Sequence, residues 1–376
     1  MFDASPGGSR RYIGVDLFCG AGGMSLGFEQ AGIQVAAAVD HDEINVVTHS
    51  FNLPSSEAIA ADLSRLSGNE IRRLTGIGDR TIDVVFGGPP CQGFSVGGKR
   101  DLLDPRNNLI FEFARLVREL RPSYFVMENV FGLLGDDFEE KVASLFLRFK
   151  RAGYDVVPVR TLDARDYGVP QHRKRAFILG HRRDLPAPSY PVPVKEVPTV
   201  WDAIGDLSQV DTNLGSVVWD TYSGPLGRAS AYSRELRENA DARTGRITGF
   251  LRTTHSEAVI RRFAKTKPGE PEPVSRFIRL SESGVSTTIR SGTGADNGSF
   301  MAPRPIHPTQ PRCIYVREAA RLHSFPDWFE FHRTNWHAFR QIGNSVPPRL
   351  ARAVAAEILK ALTQETANAA KKIVAA

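Results

Sequence analysis

The sequence predicts an α/β fold with a largely parallel, doubly wound sheet and a second, smaller domain that is rich in loops. Two observations lead to this prediction. From residue 11 to about residue 180, short apolar runs typical of buried strands alternate with amphipathic helical segments. From about Pro186 to about Gln310 the periodicity weakens, and proline, glycine, serine, threonine and arginine dominate.

Composition narrows the class of protein. With 41% apolar and 24% charged residues, the 376-residue chain resembles ordinary globular proteins. No signal peptide is evident and no apolar run approaches the roughly 18 residues that span a bilayer, so we expect a cytoplasmic protein without membrane contact. Cys19, Cys91 and Cys313 are too few and scattered for a disulfide framework or a metal site, which leaves room for one reactive thiol. The net charge of +6 favours a polyanionic partner.

The first predicted unit is a strand, a glycine turn and a helix. Residues 11–18 form an apolar run, residues 19–23 contain three glycines, and residues 24–31 have helical character before a terminating glycine. A second strand, residues 34–39, ends in Asp40, where dinucleotide-binding folds place an acid on ribose hydroxyls.

The glycine spacing argues against a dinucleotide. Ser25 occupies the third position of the G-x-G-x-x-G pattern, so a nucleoside without phosphates fits better than NAD. Asp62 is a further candidate ligand of an adenosine; alternatively, it caps a helix that begins near Ser64. The alternative interpretation of the glycines is a tight turn that contacts no ligand.

The loop at residues 88–95 is the strongest single indication of chemistry. It follows the apolar run 83–86, which predicts that Cys91 lies at the carboxyl end of a buried strand, where open α/β sheets place their active sites. Pro89 and Pro90 fix the backbone next to the thiol. A proline-bounded turn with an incidental cysteine is the alternative.

The alternation of helices and strands continues beyond this loop. A helix closes at Pro122, the strand 124–127 ends in Glu128, and a second helix and a strand at 154–162 follow. The apolar faces of the two helices consist of Leu109, Phe113, Leu116, Val117 and Leu120, and of Phe138, Val142, Leu145, Phe146 and Phe149. The strand 176–180 is preceded by Gln171, Arg173 and Arg175, which would share one face of an extended strand. A solvated basic edge is the alternative, but the neighbouring apolar strand favours a site.

The later part of the chain indicates recognition of a polyanion and a return to the first domain. Between residues 241 and 279 there are nine basic residues against four acidic ones, which predicts a nucleic-acid face. A short helix is expected at 316–323. The last helix has Leu350, Val354, Ile358 and Leu362 on one face and should pack on the sheet, with a frayed tail beyond Gln364.

Six segments together resemble the C5-cytosine DNA methyltransferase family. They occur in the family's order and are residues 16–23, 88–95, 128–130, 171–175, 317–322 and 343–347. The family's variable target-recognition region lies between the fourth and fifth segments, where this chain becomes loop-rich. The resemblance implies a Rossmann-like S-adenosylmethionine-dependent methyltransferase sheet in residues 1–185, completed by 336–376, and a smaller loop-rich target-recognition domain at 186–335.

The resemblance also implies an activity. A methyl group would pass from S-adenosylmethionine to C5 of a cytosine flipped out of a specific double-stranded DNA sequence. Cys91 would add to C6, Glu128 would act at N3, Arg175 would hold O2, and Arg173 would orient the site and, with Arg175, favour the thiolate. The implied cofactor-binding residues are Asp16, Phe18, Gly20, Gly22, Gly23, Asp40, Asp62, Pro90, Asn344 and Val346. Many relatives carry Glu at position 40. Cys19 and Cys313 are interpreted as packing residues.

Candidate DNA contacts are less sharply defined. Gln92 and Ser95 flank the thiol and are expected at the displaced strand, and Arg252, Thr288 and Arg290 lie in the recognition region. We hypothesise that residues 286–290 supply part of the base reading.

Three other functions are compatible with parts of this pattern. The first is a C5-cytosine RNA methyltransferase. The second is a non-catalytic DNA-binding relative, which the intact Cys91, Glu128 and Arg175 argue against. The third is a nicotinamide-dependent dehydrogenase, which the glycine spacing argues against. A monomer that acts separately from a cognate restriction endonuclease is the expected arrangement.

Overall fold

A mixed eight-stranded sheet forms the centre of the molecule. The structure is a computed structural model and describes residues 11–90, 108–130, 139–238, 247–292 and 304–374, with side chains up to residue 366. The strands are β1 Tyr12–Leu17, β2 Ile33–Asp40, β3 Glu57–Ala60, β4 Val84–Gly87, β5 Tyr124–Val130, β6 Tyr154–Val156, β7 Arg160–Asp163 and β8 Lys174–Arg182.

The strand order is β3-β2-β1-β4-β5-β8-β6, with β7 paired to β8. Strands β1 to β5 are parallel, whereas β8 is antiparallel to β5 and to its other partners, β6 and β7. The predicted single strand at 154–162 is wrong, because it divides into β6 and β7. Pro158 lies in the interruption and has no backbone N–H to donate to a neighbouring strand.

Helices cover both faces of the sheet, which confirms the doubly wound prediction. The helices of this part are α1 Gly23–Gln30, α2 Glu43–Asn52, α3 Gly68–Leu74, α4 Leu109–Leu120 and α5 Glu139–Arg151, and α12 Pro348–Val374 returns from the C-terminal end. On one face, Phe113 and Leu116 of α4 and Phe149 of α5 pack in one buried cluster with Phe125 of β5. On the other face, α1 and α12 pack against Phe86 and Val126.

The C-terminal helix packs on the sheet as expected. Its predicted apolar face is buried, and the helix approaches α1 so closely that a Cβ at Gly27 would overlap the Cβ of Ala351. The expected fraying beyond Gln364 is wrong, since the helix continues to Val374. The Thr366 hydroxyl lies 3.1 Å from that of Tyr12 in β1, which holds the extension against the sheet.

Short elements make up most of the remaining chain. They are α6 Val200–Ile204, α7 Gln209–Thr212, α8 Ala231–Arg237, α9 Glu257–Lys265, α10 Val316–Leu322 and α11 Asn335–Asn344, the hairpin β9 Val217–Val218 and β10 Thr221–Tyr222, and 3₁₀ turns at Ala164–Tyr167, Gly205–Ser208 and Leu214–Ser216. Leu26 and Leu53, from the side of the sheet, join α6, α8, α10 and α11 in one buried cluster. The division at residues 185 and 336 therefore crosses a shared core and stays a prediction. Within the described part of the chain, no helix is long and apolar enough to cross a membrane.

Candidate active site

Three strand ends meet at one edge of the sheet. Leu17 of β1 pairs with Gly87 of β4, and Gly87 pairs with Met127 of β5. The glycine turn after β1, the loop that begins at Gly88 and the carboxyl end of β5 at Glu128 are therefore neighbours. This is the edge where open α/β sheets bind their ligands.

The turn after β1 is held in a left-handed conformation. Phe18, Gly20 and Gly22 have φ values of 65°, 54° and 101°. The amides of Phe18 and Cys19 both donate to the carbonyl of Val39, at 2.8 and 3.1 Å, which anchors the turn to β2. A non-glycine residue in this region costs free energy, so Phe18 is fixed there by its surroundings.

Asp40 closes the turn from the end of β2. Its Oδ2 accepts from the Gly20 amide and its Oδ1 from the Asp42 amide, both at 2.9 Å. A carboxylate oxygen can accept two hydrogen bonds, so Asp40 Oδ2 retains acceptor capacity for a ligand. Asp40 therefore lies beside the glycines, and its contact with a ribose stays a prediction.

Asp62 is exposed, and its carboxylate accepts from the amide and hydroxyl of Ser64 at 2.9 and 2.7 Å. The predicted helix near Ser64 is wrong, because α3 begins at Gly68 and is capped by Ser67 with Glu70. Asp62 therefore stabilises a turn, and its interaction with adenine stays a prediction.

A buried polar chain lies behind the glycine turn. The Ser25 hydroxyl donates to Asp16 Oδ2 at 2.6 Å, and His49 Nε2 lies 3.0 Å from the same hydroxyl. Asp16 Oδ1 and His49 Nδ1 have no hydrogen-bond partner among the described residues. Burial raises the pKa of Asp16 to about 8, helped by the charge of Asp40, and burial lowers the pKa of His49 to about 4. A Cβ at Gly22 would lie 2.9 Å from His49 Cδ2, so the ring also supports the turn.

The loop after β4 is held by the end of β5. A Cβ at Gly88 would lie 2.7 Å from Glu128 Oε2, and Asn129 Nδ2 donates to the Pro89 carbonyl at 3.2 Å. The chain is described as far as Pro90, which is half-buried; Cys91, Gln92 and Ser95 lie outside the described residues.

Glu128 and Arg175 form a buried ion pair. Arg175 Nε lies 2.9 Å from Glu128 Oε1 across the antiparallel pair β5 and β8. Burial raises the pKa of Glu128, and the positive charges of Arg175 and Arg173 oppose that rise. Burial therefore favours the protonated form of Glu128, whereas the two guanidinium groups favour its charged form.

Arg173 is buried and bonded to three carbonyls. Its guanidinium donates to Ile289 at 3.2 Å and to Gly343 and Ser345 at 2.8 Å. The alternative of a solvated basic edge is therefore wrong for this position. Gln171 precedes β8 and instead forms an isolated bridge with Ser286.

Comparison with known proteins identifies the family. The family model for C-5 cytosine-specific DNA methylase matches residues 12–360. The chain belongs to this family. The Type II methyltransferase M.XorII of Xanthomonas oryzae is 49% identical over 366 residues, which cover 94% of this chain and 86% of that protein. M.DdeI of Desulfomicrobium norvegicum, also a Type II methyltransferase, is 33% identical over 92% of this chain and 88% of that protein.

Solved structures agree with the assignment. A prophage-encoded protein of E. coli, described as a DNA modification methyltransferase, superposes with a TM-score of 0.81 at 34% identity, over 94% of this chain and 99% of that one. The methyltransferase Dnmt2 of S. pombe shares the fold, with a TM-score of 0.58 at 18% identity, over 94% of this chain and 99% of that one. The predicted Rossmann-like fold and the DNA (cytosine-5-)-methyltransferase activity are confirmed.

The residues of this DNA methylase fit the methyl donor of its family, S-adenosylmethionine. The buried Oδ1 of Asp16 has no hydrogen-bond partner among the described residues and offers a polar contact to a ligand at this turn. The left-handed turn brings backbone close to that position without side chains at Gly20, Gly22 and Gly23. The C-terminal segment closes the turn, since a Cβ at Gly23 would lie 2.9 Å from Ser345 Cβ and would also crowd the Val346 carbonyl.

The candidate DNA-contacting residues differ in how they are held. Arg252 and Arg290 are exposed, whereas Thr288 is half-buried and its hydroxyl donates to the His172 carbonyl at 2.6 Å. Some charge in the predicted nucleic-acid face is structural: Arg279 donates to the carbonyls of Phe263, Ala264, Thr266 and Pro308. The excess of basic residues therefore overstates the charge that is free for DNA.

Sequence reasoning missed three residues of the site. Asn129 was noted only as a neighbour of Glu128, although it holds the Pro89 carbonyl. Ser25 entered the sequence argument only as the residue that replaces a glycine. Its hydroxyl group was the feature that could have indicated a hydrogen bond behind the turn. His49 lies on α2 without a pattern that distinguishes it from a packing histidine.

Proposed function

We propose that this DNA methylase transfers the methyl group of S-adenosylmethionine to a flipped-out cytosine within a specific double-stranded sequence, through a transient bond between Cys91 and C6. The main support is the buried Glu128–Arg175 pair beside the backbone that leads into Cys91. A carboxyl and a guanidinium fixed 2.9 Å apart offer one proton-carrying group and one donor to adjacent positions of a planar base.

The proposed chemistry begins at the thiol. The Cys91 thiolate forms a bond to C6, and the C5–C6 π electrons move to C5 while Glu128 shares its proton with N3. Arg175 holds O2 of the base, and Arg173 fixes the segments around it. The electron pair at C5 would then bond to the methyl group that S-adenosylmethionine supplies, and the electrons of the broken S–CH3 bond would stay on sulfur, leaving S-adenosylhomocysteine. A base removes the C5 proton, and elimination breaks the C6–S bond and returns the thiolate.

Cofactor binding is assigned to the glycine turn and its surroundings. Phe18 and the backbone of Gly20, Gly22 and Gly23 would contact the nucleoside, Asp40 its ribose and Asp62 its adenine. The remaining proposed contacts are Asp16, Pro90, Asn344 and Val346. Asn344 is exposed at the end of α11 and Val346 is buried against the turn. No metal takes part in this proposal.

DNA contacts are assigned to the region between β8 and α11. Residues 186–335 would read the target, with Arg252, Thr288 and Arg290 among the contacts and Gln92 and Ser95 at the displaced strand. We further propose a monomeric Type II methyltransferase that protects DNA from a separate cognate restriction endonuclease. The named relatives M.XorII and M.DdeI are Type II methyltransferases, which supports this setting.

A covalent trap tests the proposal. DNA that contains 5-fluorocytosine is incubated with S-adenosylmethionine and either the wild type, Cys91→Ser or Cys313→Ala. Fluorine at C5 cannot leave as a proton, so the wild type and Cys313→Ala should form a denaturant-resistant adduct and Cys91→Ser should not. An adduct with Cys91→Ser, or none with the wild type on DNA that it binds, would refute the covalent mechanism. The same trap on RNA tests the rival substrate, and sequencing the trapped DNA gives the target.

A further inference from the structure

His323 connects the segment proposed to read DNA with the segment proposed to hold the cofactor. The residue follows α10 and is fully buried. Its Nδ1 lies 3.0 Å from Gln171 Nε2, and its Nε2 lies 2.9 Å from the Ser345 carbonyl. Because a carbonyl only accepts, Nε2 carries the hydrogen and Nδ1 accepts from the Gln171 amide. Burial and the charges of Arg173 and Arg175 hold the pKa of His323 well below its usual value, so the ring stays neutral in this tautomer.

On one side, the connection reaches Ile289. The amide of Ile289 donates to Gln171 Oε1 at 3.0 Å, and its carbonyl accepts from Arg173 at 3.2 Å. Both backbone groups of Ile289 are thus fixed, and its neighbours are Thr288 and Arg290. A displacement of this segment by DNA must change the bonds to Gln171 or Arg173.

On the other side, the connection reaches the glycine turn. The Ser345 carbonyl accepts from both His323 and Arg173, the latter at 2.8 Å. Ser345 and the Val346 carbonyl pack directly against Gly23. A shift of Ser345 therefore presses on the turn that binds the cofactor.

We propose that His323 is a positioning residue that couples DNA binding to cofactor binding through Gln171 on one side and Ser345 on the other. The inference rests on the proposed function of the two segments. Side chains that hydrogen-bond in a buried chain hold both segments in one arrangement, so a ligand that favours that arrangement at one end strengthens binding at the other. Coupling of this kind is reciprocal.

Two substitutions separate the two links. His323→Asn keeps a polar group near the position of Nδ1, facing Gln171, but is too short to reach Ser345. His323→Gln reaches toward Ser345 but offers no equivalent of Nδ1 to Gln171. His332→Asn is the matched control, since His332 is half-buried and its ring contacts Thr334 and His337, which are close in the chain. Gln171→Met, which breaks the link from the side of Ile289, serves as a second variant if the histidine variants fold poorly.

The measurement is the affinity for S-adenosylhomocysteine, by calorimetry, with and without a duplex that carries the trapped target sequence. In the wild type and His332→Asn, the duplex should raise this affinity about fivefold or more. In both His323 variants, the ratio of the affinity with the duplex to the affinity without it should fall toward one. The affinity without DNA should change by less than about threefold.

Three results would overturn the inference. These are an unchanged ratio in the folded variants, a wild-type ratio near one, and an equal loss of affinity with and without DNA, which is what a merely structural role predicts. In each case the covalent trap still forms if the proposed function is right, whereas failure of the wild-type trap refutes both.

Discussion

The carboxyl group of Asp16 should make the stability of the cofactor-free protein depend on pH. Burial raises its pKa to about 8, while the ordinary value is 3.8. The groups that face it are Ser25, which donates to it, Asp40, whose charge adds to the rise, and His49 at the end of the chain of hydrogen bonds. Between these two pKa values the folded protein keeps a proton that the unfolded chain releases. The contribution to the free energy of unfolding is therefore complete below about pH 4 and is lost as pH rises through about 8.

Replacing Asp16 by Asn should remove this dependence. Relative to the wild type, Asp16→Asn should gain on the order of 1 kcal/mol of stability for each pH unit between pH 5 and pH 8. Urea unfolding at several pH values, without cofactor, measures the difference. Ser25→Ala should move the pH-dependent loss to higher pH, because the Ser25 hydrogen bond stabilises the carboxylate. Parallel curves for the wild type and Asp16→Asn would show that the carboxyl titrates in the same way in the folded and unfolded chain.

Single residues show how far sequence reasoning reaches. The placement of Glu128 and Asp40 was predictable because each stands at the carboxyl end of a parallel strand, and such ends meet at one edge. Arg175 reaches the same edge because β8 runs antiparallel to β5, which the sequence pattern did not show. The partners of Arg173 were not predictable. Its guanidinium bonds to carbonyls more than 100 positions away along the chain, and backbone acceptors leave no mark in the amino-acid pattern.

At the scale of elements, the pair α1 and α12 depends on a glycine. A Cβ at Gly27 would overlap Ala351 and would also crowd the Pro348 carbonyl, both in α12. Gly27→Val should therefore lower the free energy of unfolding by about 1–3 kcal/mol, because the added side chain forces two buried helices apart. Chemical denaturation measures this loss.

Gln30→Val is the control for Gly27→Val, since it places the same side chain at the exposed end of α1. Its free energy of unfolding should lie within about 0.5 kcal/mol of the wild type. An equal loss in the two variants would mean that valine lowers helix stability and that the contact with α12 is not responsible.

Element types were predicted better than element ends. The strands β1, β2, β4 and β5 and the helices α1, α4 and α5 followed from apolar periodicity, whereas α2, which carries His49, was not predicted. The division of residues 154–162 was missed because Val156, Val157 and Val159 continue the β-branched pattern across Pro158. The length of α12 was missed because the apolar pattern ends near Leu362, and the contact of Thr366 with Tyr12 of β1 leaves no periodic signal.

At the scale of the whole molecule, buried contacts join the predicted domains. Leu26 and Leu53 belong to the sheet side, and they share a buried cluster with Ile204, Phe325 and Ile342. Next to it, Arg321 is buried and donates to Asp206 and Asp327, both at 2.6 Å. Apolar and ionic contacts of this kind are lost together when either side unfolds. The sequence showed the change in composition and periodicity near Pro186, but not the buried core that joins the two predicted domains.

The molecule should therefore unfold in one transition. Three of the four tryptophans, Trp201, Trp219 and Trp328, lie in the predicted recognition region, and Trp336 follows directly after it. Tryptophan fluorescence therefore reports mainly that region, while far-UV circular dichroism is dominated by the long helices around the sheet. The two signals should share one midpoint in urea. Ile204→Ala should lower the free energy of unfolding by about 2–5 kcal/mol and shift both urea midpoints down together. Val192→Ala, at an exposed position, should change neither midpoint. If Ile204→Ala shifted the fluorescence midpoint alone, the recognition region would unfold independently, and the shared cluster would not transmit stability to the sheet.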